Sequence, residues 1–281
     1  MNVFKLQSKL KSYLNLQKEA GKTIGFVPTM GALHKGHLSL IKSAKKKNDL
    51  VVVSIFVNPT QFDNKKDLEK YPQPLDNDIK LLKSIKCDVL FIPTAKEIYS
   101  DNVVSQKFDF DGLEHQMEGK FRNGHFDGVG TIVKAFFEII EPDVAYFGKK
   151  DFQQLQIIKK LVKKYRIPLK IKGRPIFREE DGLAMSSRNI RLSEEHRKVA
   201  PFIYKILKKA KRKFGTKNVL ELTQWVEKKF EKQELLRLEY FTIADEETLK
   251  TPETINPEKN YRAFIAVFAG DIRLIDNIRV Q

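Results

Sequence analysis

The sequence predicts an α/β protein built on a doubly wound parallel sheet, followed by a smaller C-terminal α+β domain. Three observations predict it. Short, almost wholly apolar runs end at Pro, Gly or Asn-Pro, as strands covered on both faces do. Segments with apolar residues at helical spacing alternate with those runs as far as Pro175. Beyond it the alternation stops, and helices come first with strands after them.

Taken in order, Leu6, Leu10, Tyr13 and Leu14 share one helical face between lysines, which reads as an amphipathic helix rather than a secretory signal. Residues 23–27 form the first strand, ended by Pro28, and Leu38, Leu40, Ile41 and Ala44 mark the helix after it. Residues 50–57 are β-branched and apolar, a central parallel strand that Asn58-Pro59 terminates. A helix over 76–85 leads into a third buried strand at 88–92. Ile132, Val133, Phe136, Phe137 and Ile140 belong to the next helix, before a strand at 144–147 and a helix carrying Leu155, Ile158 and Val162. Ser193 with Glu194 and Glu195 starts a capped helix expected to run to about Phe214, and another covers 219–230. Strands near 238–244 and 262–269 precede Gly270-Asp271 and a strand over 272–280, a hairpin signal. The domains divide at 1–175 and 176–281, and no fixed-period repeat is present.

Composition narrows the function classes. Among 281 residues, 52 Lys and Arg against 36 Asp and Glu leave a charge of +16, a field that attracts anions: nucleic acid, anionic lipid, or phosphorylated and carboxylate substrates. The lysines are spread over nearly every segment, so a solvated surface is favoured over a nucleic-acid face, and no groove-reading motif accompanies them. The single cysteine, Cys87, excludes an internal disulfide framework and a cysteine zinc site and suits a reducing compartment. The longest apolar stretch, 50–57, is far short of a membrane helix.

In an open α/β sheet, ligands bind beyond the carboxyl ends of the strands, so the loops there come first. The first runs Pro28-Thr29-Met30-Gly31-Ala32-Leu33-His34-Lys35-Gly36-His37 and opens a helix. Two histidines three apart face one way on a helical turn, Gly36 leaves room beside them, and the helix N-terminus suits phosphate. A metal pair is disfavoured, since His115, His125 and His196 are scattered and no third ligand stands nearby. Asn58-Pro59-Thr60-Gln61-Phe62 follows the second strand; alone, it is a turn signal and a loop amide. Gly148-Lys149-Lys150-Asp151-Phe152-Gln153-Gln154 is a phosphate grip or a solvated helix start. Asp181-Gly182-Leu183-Ala184-Met185-Ser186-Ser187-Arg188-Asn189 lies at the domain junction, with two hydroxyls and a guanidinium together.

With Gly124-His125-Phe126, Gly128-Val129 and the terminal Arg273-Leu274-Ile275-Asp276-Asn277, these stretches together resemble the pantothenate synthetase (pantoate–β-alanine ligase) family, within the HxGH nucleotidyltransferase-like superfamily. The resemblance covers nearly the whole chain. It implies a Rossmann-like ATP- and pantoate-binding domain at 1–175, with the C-terminal domain covering the active site. The reaction it implies is ATP-dependent ligation of pantoate and β-alanine through pantoyl adenylate, releasing AMP and pyrophosphate. By the resemblance His34, His37, Lys150 and Arg188 are catalytic, His37 being the candidate proton donor. ATP would meet Met30, Gly31, Ala32, Leu33, His34, Lys35, Gly36 and His37 on one side. Gly148, Lys149, Lys150, Asp151, Phe177, Met185, Ser186, Ser187 and Arg188 would complete its site. Gln61 and Gln154 would bracket pantoate, Gln61 would also meet β-alanine, and Met30 with Pro28 would line the apolar side. Mg2+ is implied as the companion of ATP, with no dedicated protein metal site, and so is a cytoplasmic homodimer with no nucleic-acid or membrane partner. The family often has Pro where this chain has Asn123, and Glu or Gln where it has Lys149, so two adjacent lysines compete for one phosphate role. Another HxGH nucleotidyl transferase is the alternative enzyme, and a basic nucleic-acid-binding protein the alternative class.

Overall fold

The computed structural model describes all 281 residues, and the chain divides into two units: Met1–Lys149 with Gln153–Pro175, and Lys150–Phe152 with Ile176–Gln281. The first unit is a six-stranded, wholly parallel sheet in the order β1-β4-β3-β2-β5-β6. Its strands are β1 (Asn2–Phe4), β2 (Ile24–Thr29), β3 (Leu50–Ile55), β4 (Val89–Phe91), β5 (Val144–Gly148) and β6 (Lys170–Arg174). The helices between them are α1 (Gln7–Glu19), α2 (Lys35–Lys45), α3 (Lys65–Glu69), α4 (Leu75–Ser84), α5 (Ala95–Tyr99), α6 (Met117–Phe121), α7 (His125–Ile140) and α8 (Phe152–Lys164).

Side chains alternate across the sheet and are buried on both sides, which is why the strands read as unbroken apolar runs. Val27, Val51, Val53 and Leu90 pack with Leu40, Ile41 and Ala44 of α2 and Leu82 of α4. Phe26 and Phe91 meet Phe136 of α7 edge-on, at ring centroids 5.8 and 6.1 Å apart. Aromatic edge-to-face packing of this kind fixes the helix against the sheet. No helix is long and apolar enough to cross a membrane.

Two sequence expectations need correction, and two strands, β1 and β6, were not expected. Pro28 does not end its strand: β2 continues to Thr29, in register with Ser54 and Ile55. The Thr29 carbonyl accepts from Phe56 N–H at 3.1 Å on the β3 side, so the nitrogen of Pro28 faces the β5 side, where pairing covers only Gly25 and Phe26. No ladder donor is lost there. Strands β1 and β6 carried no apolar run; β6 alternates Lys170, Lys172 and Arg174 with half-buried residues, as an edge strand does. The helix expected from 193 to 214 is two helices, broken at Pro201, which has no N–H for a continuing helical bond.

The second unit contains α9 (Glu194–Val199), α10 (Phe202–Lys213), α11 (Val219–Phe230) and an antiparallel sheet of β7 (Leu236–Asp245), β8 (Tyr261–Ala269) and β9 (Ile272–Arg279) in that order. Ser193 caps α9, and Asn218 with Glu221 closes a capping box on α11. Ile203, Ile206, Leu207 and Ala210 of α10 and Leu222, Val226 and Phe230 of α11 cover Ile243, Ala263, Ile265, Val267 and Leu274 of the sheet. Gly270-Asp271 turns the hairpin, with Ala269 paired to Ile272 and Gly270 at φ +58°.

Candidate active site

Strands β3, β2 and β5 are neighbours, so the loops leaving their carboxyl ends share one rim of the sheet. The loop after β2 is held from two directions. Asp78, buried on α4, accepts the Leu33 N–H at 2.7 Å, and the Tyr71 hydroxyl donates to the Gly31 carbonyl at 2.9 Å. Gly31 sits at φ +70°, and a Cβ there would lie 2.8 Å from the Asp78 carboxylate, so only glycine suits both conformation and space. Burial pushes the Asp78 carboxyl above its usual range, with the Leu33 N–H pulling the other way.

That loop delivers His34 to the N-cap of α2, in extended conformation at φ −143°, where its Nδ1 accepts the Gly36 N–H at 3.1 Å. In the neutral ring the proton therefore sits on Nε2. His37 follows in the first turn, and the two rings stack with centroids 4.0 Å apart and planes 24° from parallel. The expected common facing of the two histidines is realised, over a helix N-terminus whose N–H groups and dipole favour an anion.

The loop after β3 presents Gln61 at the end of a short 3-10 turn, Pro59–Gln61. Asn58, by sequence alone a turn signal, is 1% exposed and organises the loop. Its amide donates to the Gly128 carbonyl at 3.1 Å and to Gln61 Oε1 at 3.2 Å, while its oxygen accepts from Tyr99 and Thr60. With its oxygen so held, Gln61 turns Nε2 toward Met30 Sδ at 3.1 Å, joining the two strand-end loops. Burial raises the Tyr99 phenol, opposed by its bonds to Thr60 and Asn58, so it remains a donor.

Arg122 and His125 hold the backbone of Gln61. Arg122 Nη1 is 3.1 Å from His125 Nε2, and a guanidinium can only donate, so Nδ1 carries the proton and donates to the Gln61 carbonyl at 2.8 Å. Arg122 Nη2 donates to the same carbonyl at 3.4 Å. Asn123 leaves this arrangement intact, because both side chains come from its neighbours. On α8, Gln154 is half-buried, while the adjacent Gln153 is 3% exposed and fully engaged: its amide bonds the Leu113 and Gln116 carbonyls at 2.8 Å and the Glu118 N–H at 2.9 Å. Gly148 ends β5, and the stem of Lys149 lies beside Gly173 of β6.

The second unit has polar groups of its own. Lys150 Nζ is 3.6 Å from the Asp151 carboxylate, with its side chain 19% exposed. Residues 177–185 form a tight hairpin in which Met185 N–H bonds the Phe177 carbonyl at 3.0 Å. Ser186 then caps a 3-10 turn, Ser187–Arg191, by accepting the Arg188 N–H at 3.3 Å, so Ser186, Ser187 and Arg188 come together at its first turn. Beneath the hairpin, Arg178 makes a two-toothed bond to Asp276 at 2.7 and 2.9 Å. No group of three or more His, Cys, Asp or Glu stands where it could hold a metal ion.

The sequence matches the pantoate-beta-alanine ligase family over residues 2–279. This chain belongs to the pantoate–β-alanine ligase family. It is 57% identical to the pantothenate synthetase of Christiangramia forsetii and 55% identical to that of Flavobacterium psychrophilum, each alignment covering 100% of both chains. Among solved structures it is similar to the pantothenate synthetase of Thermus thermophilus, with 37% identity, a TM-score of 0.91 and coverage of 100% of this chain and 99% of that one. It is also similar to the pantoate-beta-alanine ligase of Francisella tularensis, with 40% identity, a TM-score of 0.82 and coverage of 100% and 98%. The ligation of pantoate and β-alanine to pantothenate is accordingly its reaction, on the mixed α/β architecture that the sequence predicted.

Proposed function

We propose that the chain carries out this ligation in two steps at the rim formed by the loops after β2 and β3. Pantoate carboxylate oxygen attacks the α-phosphorus of ATP, forming the acyl–phosphate bond and expelling pyrophosphate. The amine of β-alanine then attacks the acyl carbon, forming the amide and expelling AMP, and the ammonium proton lost passes to solvent. The Francisella tularensis relative was solved in complex with beta-gamma ATP and beta-alanine, which supports ATP and β-alanine as ligands here as well.

The observation that carries the reading is the stacked His34–His37 pair at the start of α2, one loop away from a Gln61 amide whose oxygen is already occupied. Negative charge grows on the phosphates during the first step, and prepositioned donors lower its energy without reorganisation. His34 offers Nε2–H, and His37 lies against it as the proton donor to the departing pyrophosphate. Gln61 and Gln154 would bind pantoate, with Gln61 also meeting β-alanine. Both are uncharged, so the substrate carboxylate stays nucleophilic rather than being captured by a cation. Lys150, Ser186, Ser187 and Arg188 serve the phosphates, and Gly148, Asp151, Phe177 and Met185 the adenosine.

Mg2+ is required by the use of ATP, yet the only buried carboxylate at the histidine loop, Asp78, is engaged with Leu33 N–H. The donor set fits an ion carried on ATP phosphate oxygens rather than a protein cage, and no step is routed through it. A cytoplasmic homodimer completes the proposal; light scattering of the purified chain tests the dimer.

The decisive experiment is exchange of labelled pyrophosphate into ATP. Pantoate alone must support it, because the acyl adenylate forms before β-alanine acts. Exchange that requires β-alanine would refute the two-step order.

A further inference from the structure

In the terminal stretch Arg273-Leu274-Ile275-Asp276-Asn277 the last two residues are almost wholly buried, Asp276 at 4% and Asn277 at 2% exposure. Asn277 lies on β9 opposite Phe264 of β8. Its side-chain amide donates to the backbone carbonyl of Lys150 at 2.8 Å, across 127 residues of sequence. Its side-chain oxygen accepts from Arg262 Nη1 at 2.6 Å. Its backbone N–H donates to Asp276 Oδ1 at 2.7 Å, the carboxylate that Arg178 grips with both teeth.

The same strands hold the other end of the short segment Lys150–Phe152. The Phe152 ring lies 4.2 Å from the Arg262 guanidinium and 5.9 Å from the Phe264 ring. Arg262 is itself fixed by Glu246, at 3.0 Å from Nε and 2.8 Å from Nη2. Lys150 is thus held by its carbonyl and, two residues on, by a ring packed against Arg262 and Phe264.

The chemistry selects an amide at 277. The Lys150 carbonyl needs a donor, and Arg262, which has only donors, needs an acceptor. A carboxamide supplies one of each, and these two neighbours fix which way it points. An aspartate of the same shape would set an oxygen against the Lys150 carbonyl and leave it without its buried donor.

We propose that Asn277 is a positioning residue for Lys150, setting the backbone from which that lysine reaches the ATP phosphates. The proposal rests on the reading of Lys150 as a phosphate ligand. Displacing a pre-positioned group by about 1 Å costs on the order of 10²-fold in rate.

The test is single-turnover release of pyrophosphate from ATP and pantoate, measured in a double-mutant cycle. Asn277→Asp should slow the step by about 10²-fold while leaving KM for pantoate unchanged. In a Lys150→Ala background the same substitution should cost less than about threefold, since the group it positions is gone. Asn277→Ser, which keeps a shorter donor, should recover part of the rate, and it replaces Asn277→Asp in the cycle if the aspartate variant does not melt cooperatively. Equal losses in both backgrounds would overturn the proposal, as would a full rate in a folded Asn277→Asp enzyme. Lys150→Ala alone reports on the underlying reading: a full rate in that single variant would remove the phosphate role of Lys150 and the proposal with it.

Discussion

Gly128→Ala is the sharpest probe of how Gln61 is held. Gly128 lies in the first turn of α7, and a Cβ built there would be 2.4 Å from the Thr60 carbonyl oxygen, 2.6 Å from its carbon and 2.7 Å from Gln61 Cα. All three are backbone atoms, which cannot rotate out of the way as a flexible side-chain end can. Ordinary contact begins at 3.4 Å, so helix and loop must separate by about 1 Å. Overpacking on this scale costs about 1–3 kcal/mol, which for a chain of this size lowers the melting temperature by roughly 2–4 °C per kcal/mol. The separation also stretches the bond from Asn58 to the Gly128 carbonyl, now 3.1 Å, and Asn58 is what orients the Gln61 amide. On the proposed role of Gln61 in binding pantoate, a shift of about 1 Å there lowers the rate by up to about 10²-fold. Steady-state pantothenate formation with pantoate varied, beside thermal melting, should show kcat/KM for pantoate down roughly 10- to 10²-fold and KM for ATP little changed. A variant with unaltered melting temperature and unaltered kcat/KM for pantoate would refute the clamp.

Other outcomes follow from the same geometry. Lys150→Ala should lose roughly 10²- to 10³-fold in single-turnover adenylation, whereas Lys149→Ala, whose stem lies along β6, should lose less than about tenfold; a larger loss at Lys149 reverses the two roles. For Asp78 the carboxyl is raised by burial, so the folded chain holds its proton to higher pH than the unfolded one and loses stability as pH rises from the ordinary 3.8 through the raised value. Melting of Asp78→Asn relative to the parent should therefore improve between pH 4 and pH 7, and an opposite trend would contradict the assignment. Cys87 is 2% exposed, and burial pushes its thiol up to about 11, leaving a thiolate fraction of about 10⁻³ at pH 8. A thiol reagent should label the unfolded chain at least about 10²-fold faster than the native one, and rapid stoichiometric labelling of native protein would exclude the buried placement.

Much of the fold was legible because parallel strands buried on both faces leave an unmistakable local mark, as at residues 50–57. Strand β6 left none, since three of its five residues are lysine or arginine facing solvent at the sheet edge. Around the site, His34 and His37 could be read together because the turn that unites them is three residues long. The supporting groups were opaque for the opposite reason. Asn58 looks like a turn until its bond to Gly128 is known, 70 residues away, and Asp78 acts on Leu33 across 45. His125 was visible within a motif, yet its target is a backbone carbonyl, which carries no residue identity to be matched. A sequence marks groups that need particular chemistry more plainly than groups that need a particular distance.

The assignment of Lys150–Phe152 to the second unit, with residues of the first on either side in the chain, bears on how such a protein can be rebuilt. No single cut separates the units: a fragment ending at Pro175 would keep the three residues while discarding Asn277, Arg262 and Phe264, which hold them. Recombination between relatives at residue 175 would likewise pair one parent's lysine with the other parent's clamp. Crossovers of that kind are viable only where the two parents agree at both ends of the clamp, so residues 150–152 and the C-terminal third are inherited together and the latter is not an exchangeable cassette.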